Sequence, residues 1–167
     1  MNKYLSALRD INKYILSFNK FLNEENKLNI LQEERLNDDS YVLNLNGKTW
    51  KEIRFPRNCG IGGVYFYFGH SVTNPNKLCV YVGKASLTAT TGERLWSHFK
   101  HAFDESGQLF KTSNRERFNI EAITLIPFET VGMGCFASAL EEHIIIELAK
   151  EGRYELINIR GRLKSTS

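Results

Sequence analysis

Two runs decide how this chain folds: Gly63-Val64-Tyr65-Phe66-Tyr67-Phe68-Gly69 and Cys79-Val80-Tyr81-Val82-Gly83-Lys84. Both are dense in β-branched and aromatic residues, which suit a pleated, half-buried surface, and both are bounded by turn-formers. Asn74-Pro75-Asn76 breaks the chain between them, so the pair reads as a β-hairpin. Each strand carries a tyrosine in a glycine-flanked tripeptide, Gly63-Val64-Tyr65 and Tyr81-Val82-Gly83. A buried tyrosine hydroxyl needs a hydrogen-bond partner. Two phenols on adjacent strands, with Lys84 beside the second, can converge on one polar point.

Downstream, Thr91-Gly92-Glu93 opens a helix from about Arg94 to Phe103. At helical spacing Arg94, His98 and His101 share one face, and Leu95, Phe99 and Ala102 form the apolar face beside it. Gly107 to Glu116 is polar, with Lys111, Arg115 and Arg117 spread across it, and reads as an excursion from the core. Ile120 to Ile126 is a third core strand, stopped by Pro127. A further helix spans about Phe136 to Lys150, with Ala137, Leu140, Ile144, Ile145 and Leu148 as its inward stripe. Glu141 falls near the middle of that stripe, Glu142 at its edge, and His143 and Glu147 off it. An inward carboxylate is costly unless it is paired, hydrogen-bonded or bound to a metal. A structural salt bridge is the ordinary explanation of one. Gly152 ends the helix, and Tyr154 to Asn158 returns as a short segment suited to a sheet edge.

Upstream, Leu5, Leu8, Ile11, Ile15, Phe18 and Leu22 repeat at three- and four-residue steps within a helical stretch from about Asn2 to Asn37. Asn23-Glu24-Glu25-Asn26 interrupts it before a second helix over Leu28 to Leu36. This helical hairpin either packs on the core or forms a dimer contact. Asn37 to Ser40 is a polar loop, Tyr41 to Leu45 a strand, and Asn46-Gly47 a tight turn. Arg54-Phe55-Pro56-Arg57-Asn58 then leads into the glycine-rich start of the first core strand.

The ordered set of motifs resembles the GIY-YIG nuclease superfamily, most closely its small type II restriction endonucleases. Gly63-Val64-Tyr65 stands for the first tripeptide, with valine replacing the usual isoleucine, and Tyr81-Val82-Gly83 followed by Lys84 for the second. Arg94 and His98 match the family's arginine with a histidine or tyrosine four residues on. Leu140-Glu141-Glu142-His143-Ile144-Ile145 matches the glutamate helix, and Asn158 the late asparagine. The resemblance covers about Gly60 to Gly161. The links between the tripeptides and from Glu141 to Asn158 are longer than the compact family pattern.

The fold implied is α+β, a small central three-stranded, mostly antiparallel sheet flanked by helices. Residues 1–47 would be an N-terminal helical extension with a short strand, 48–62 a linker, 63–161 the nuclease core and 162–167 a basic tail. The resemblance also implies a catalytic set of Tyr65, Tyr81, Lys84, Arg94, His98, Glu141 and Asn158. Glu141 would bind one Mg²⁺ per site, with Mn²⁺ as a substitute. Hydrolysing a phosphodiester needs an activated water, positive charge on the phosphate and help for the leaving oxygen. In the family picture Tyr65 takes the water's proton, but an ordinary tyrosine titrates near 10 and His98 is the easier base on intrinsic grounds.

The implied partner is double-stranded DNA, and cutting both strands at a palindrome calls for a homodimer. Arg54, Arg57, Lys111, Arg115, Arg117, Arg160 and Arg162 are candidates for contacting it, though solvated surface arginines are as common. A structure-specific or non-specific nuclease, and a non-cleaving nucleic-acid-binding module, remain as alternatives.

The 167 residues suffice for one domain with an appended segment, and a net charge of +3 permits a nucleic-acid partner without demanding one. Cys59, Cys79 and Cys135 are too widely spaced for a zinc set, so reduced thiols are expected. No apolar run is long enough to cross a bilayer, and Lys3, Arg9, Asp10 and Lys13 interrupt any secretory core, so a cytoplasmic protein is expected.

Overall fold

The computed structural model describes residues 4–32, 42–45, 61–104, 109–111, 117–127 and 133–158. It is a mixed α and β fold built on the hairpin. Strands β2 (Ile61–Ser71) and β3 (Leu78–Thr90) run antiparallel, with Tyr65 opposite Gly83 and Tyr67 opposite Tyr81. β5 (Arg117–Pro127) pairs antiparallel with the other side of β2. The expected three-stranded centre is thus β5-β2-β3, but the sheet is wider. β1 (Val42–Asn44) and β4 (Leu109–Lys111) both pair antiparallel with β5, and β6 (Glu155–Leu156) runs parallel to β3. The strand order is β1-β5-β2-β3-β6, with β4 beside β5.

Side chains alternate across the sheet, so the hairpin builds two different cores. Val64, Phe66, Phe68, Val80 and Val82 pack under helices α1 (Leu5–Phe18) and α3 (Ala137–Glu151). Tyr65, Tyr67 and Cys79 point the other way, against Leu95 of α2 (Thr91–Ala102), Phe103, Phe110, Phe118 and Ile120. Gly69 faces the β5 backbone so closely that a Cβ there would lie 1.9 Å from the Asn119 carbonyl oxygen. The register between β2 and β5 shifts between Phe68 and Gly69.

α1 contributes Ala7, Leu8, Ile11 and Ile15 to the same core as α3. Polar contacts fix the pair. Tyr14 donates to Glu151 at 3.0 Å, and Ser17 lies 2.7 Å from the His143 ring nitrogen. Asp10 is 2% exposed and receives Tyr154 Oη at 2.5 Å, Lys13 Nζ at 2.9 Å and an Arg153 guanidinium nitrogen at 2.8 Å. Burial opposes its ionisation, but the Tyr154 and Lys13 hydrogen bonds and the Arg153 charge hold the carboxyl below its usual range.

The second helix expected over Leu28 to Leu36 does not form as far as residue 32. Two short 3-10 turns, Asn19–Phe21 and Glu24–Asn26, are followed by non-helical chain. Two asparagine side chains on α1 and just after it capture that chain. The Asn19 amide brackets Leu28, donating to its carbonyl and accepting from its N–H, both at 2.9 Å. Asn12 does the same to Leu31, both at 2.7 Å. Each primary amide mimics a neighbouring peptide and favours extended backbone over helix. The rest of that segment, the loop and turn at 37–40 and 46–47, and residues 48–60 of the linker lie outside the described residues.

Candidate active site

β3 passes directly into α2 because Thr90 and Glu93 form a reciprocal cap: each side chain accepts from the other's backbone N–H, at 3.1 and 3.2 Å. The first turns of α2 therefore lie over the tyrosine face of the hairpin. His98 packs its ring 5.7 Å from Tyr65, 5.8 Å from Tyr81 and 6.1 Å from Tyr67, centroid to centroid. Tyr67 and Tyr81 stack at 5.3 Å, and Tyr65 lies 5.5 Å from Tyr67.

Gly83 makes room for this cluster. A Cβ at that position would stand 2.3 Å from the Tyr65 ring and 2.5 Å from its hydroxyl. The glycine of Tyr81-Val82-Gly83 is thus the space that the other tripeptide's phenol fills.

The electrostatics of the cluster follow from its burial. Tyr65 is 1% exposed, and burial drives its phenol well above the usual range, assisted by Tyr81 and opposed by the charge and hydrogen bond of Arg94. Arginine only donates, so Tyr65 oxygen accepts from it. A hydrogen bond between the Tyr65 and Tyr81 hydroxyls favours the Tyr81 phenolate. Tyr81 is also raised, first by burial and then by the negative charge of Glu141. Burial and the adjacent Arg94 push His98 down to about 4, so its imidazole is neutral at neutral pH. Both phenols hold their protons there.

Glu141 and Lys84 meet on the opposite side of β3, where Lys84 points toward α3. Lys84 Nζ lies 3.1 Å from Glu141 Oε2 and 2.9 Å from Ser138 Oγ. The side chains are 36% and 20% exposed for Lys84 and Glu141, so the pair is open to solvent rather than sealed. Glu141 flanks the buried stripe of Ala137, Leu140, Ile144 and Leu148 instead of lying in its middle. Its charge still acts on both Tyr65 and Tyr81, so the two clusters share one electrostatic neighbourhood.

Asn158 belongs to the scaffold of the site. Its side chain accepts from Val82 N–H at 2.8 Å and donates to Val82 carbonyl at 2.5 Å, continuing the short β6 pairing. It therefore grips the residue between Tyr81 and Gly83. Lys111 is exposed at the end of β4, and Arg117 begins β5 with its side chain outside the description. Arg54, Arg57, Arg115, Arg160 and Arg162 lie outside the described residues.

No family model, curated protein or solved structure matches the chain. The site is accordingly described by its own chemistry. Among the described residues there is no group of three or more His, Cys, Asp or Glu side chains able to cage a metal. A single hard, partly exposed carboxylate still fits Mg²⁺, which keeps most of its waters and needs only one or two protein oxygens. No helix among the described residues is long and apolar enough to cross a membrane.

Three contributors escaped the sequence reading. Tyr67 follows Tyr65 by two residues, and strand alternation alone places it on the same face. Phe110 lies within the polar stretch read as an excursion. It is 4% exposed, pairs through β4 with Phe118, and stacks on His98 with centroids 6.4 Å apart. Ser138 lies one turn before Glu141, a spacing visible in sequence, but nothing there pointed to its bond with Lys84.

Proposed function

We propose that this chain is a divalent-cation-dependent endonuclease of the GIY-YIG kind that hydrolyses phosphodiester bonds in double-stranded DNA, and that it is a site-specific restriction endonuclease. One observation carries the reading. Groups that the motifs single out on β2, β3, α2 and α3 come within electrostatic reach of one another, Tyr65, Tyr81, Arg94 and His98 on one face of β3 and Lys84 and Glu141 on the other.

Glu141 would hold Mg²⁺ or Mn²⁺, which when bound supplies positive charge for the phosphate and the leaving oxygen. Arg94, exposed on α2 and always charged, binds a non-bridging phosphate oxygen with planar donors that lysine does not reproduce. His98, neutral above about pH 4, accepts the proton of the attacking water. Tyr65 stays protonated between Arg94 and Tyr81, accepts from the Arg94 guanidinium and helps hold Tyr81 toward water or phosphate. Asn158 and Gly83 keep Tyr81 and Tyr65 in register.

The test is to incubate unmethylated double-stranded DNA with the protein, with Mg²⁺ and with a chelator, beside Glu141→Ala. Cleavage that needs both the cation and Glu141 is the expected result. Discrete fragments with common ends support a restriction enzyme acting as a homodimer, and a smear supports a non-specific nuclease. A gel shift without any cleavage defeats the enzymatic reading in favour of a binding module.

A further inference from the structure

Lys84 alternates with Tyr81 along β3 and so faces α3, away from the tyrosine cluster. Its ammonium has three donors, and two are directed at α3: one toward Ser138 Oγ at 2.9 Å and one toward Glu141 Oε2 at 3.1 Å. Ser138 and Glu141 lie three residues apart on one helix, so both reach the same cation. A monovalent ammonium therefore already occupies one of the two oxygens of the carboxylate on which a divalent cation would sit.

We infer that Lys84 competes with the divalent cation for Glu141, and that Ser138 is a positioning residue that receives the displaced ammonium. This rests on the reading that Glu141 takes a metal. The two positive charges repel when both sit on one carboxylate, so each weakens the other's hold on Glu141 and metal occupancy favours release of Lys84. The pair is partly exposed and weakly held, which makes the exchange easy. The Ser138 hydroxyl keeps the ammonium beside the site after release, where it can turn toward a phosphate. The free protein is thereby a poor metal binder, and a phosphate that attracts Lys84 improves metal binding.

The test is a Mn²⁺ titration of the full chain without nucleic acid, read by the paramagnetic resonance of free Mn²⁺. Wild type, Lys84→Met, Lys84→Gln, Ser138→Ala and Glu141→Gln are compared, with melting curves as the check on folding. Removing the ammonium should tighten Mn²⁺ binding on the order of tenfold. Ser138→Ala should weaken it by roughly threefold, because Lys84 then has no second partner and holds Glu141 harder. Glu141→Gln should abolish the site. Unchanged or weaker binding in both Lys84 variants overturns the inference, as does Mn²⁺ binding that survives Glu141→Gln. DNA cleavage by wild type with no gain of Mn²⁺ affinity in the Lys84 variants defeats only this inference. The expected Mn²⁺ series without any cleavage defeats only the nuclease reading.

Discussion

The two faces of the β2–β3 hairpin are made from alternate residues of the same strands, yet they do different work. On one face Val64, Phe66, Phe68, Val80 and Val82 are fully buried under α1 and α3 with no polar atom among their side chains. On the other Tyr65, Tyr67 and Tyr81 carry hydroxyls into a cluster with His98 and Arg94. The first face gains stability from apolar area alone. The second accepts the cost of burying polar groups, and their titration is shifted as a result, the phenols upward and His98 downward. Neighbouring positions in sequence should therefore fail in different assays.

Phe66→Ala should have the largest effect, a loss of about 3–5 kcal/mol from transfer and cavity terms, seen as a sharply lowered denaturant midpoint. Arg94→Ala should leave that midpoint nearly unchanged while lowering DNA cleavage by about a hundred- to a thousandfold, as expected for losing one charge-stabilising donor. If both variants melted alike, the division of labour between the faces would collapse.

Acid should attack the tyrosine face first. His98 takes up a proton near pH 6.5 when unfolded but only near 4 in the fold, so the unfolded chain binds the proton first as pH falls. Its contribution is complete above about pH 6.5 and lost progressively down to 4, a cost on the order of 2–3 kcal/mol. Asp10 has a lowered folded value, so its own contribution is lost only below the ordinary carboxylate range. Urea unfolding at several pH values between 7 and 4.5 should show the slope in wild type and not in His98→Gln.

Asn158→Ala leaves both peptide groups of Val82 without that partner and should cost about 1–3 kcal/mol, with faster amide exchange at Val82. The smallest effect belongs to the exposed side of the Asp10 cluster. Lys13 is 67% exposed, and Lys13→Met should change stability by less than about 1 kcal/mol in a thermal melt.

What the sequence made legible was local. The hairpin, α2 and α3 could be read because glycine-flanked β-branched runs, the Thr91-Gly92-Glu93 helix start and a regular stripe act over a few residues. The failures came from distant partners. Nothing near Leu28 says that Asn19 will bracket it, and the stretch reads as a second helix instead. Leu109 and Phe110 become a strand only because Phe118 and Asn119 are available on β5. In the site, motif order named Tyr65, Tyr81, Arg94, His98 and Glu141, but not that Tyr65 accepts from Arg94 and shares a hydrogen bond with Tyr81. Nor could it tell that Asn158 grips backbone, or that Lys84 leans on Ser138.

The bond between Asp10 and Tyr154 joins side chains 144 positions apart. A ribosome extrudes the Asp10 segment long before Arg153 and Tyr154 have been polymerised, and until then that carboxylate has every reason to stay hydrated. The fastening of the first helix by Tyr154 and Arg153 must wait for translation to pass that point. A nascent polypeptide therefore carries an unfastened roof over its hairpin from the completion of β3 until the Tyr154 segment emerges, and products truncated before that point never acquire the finished roof.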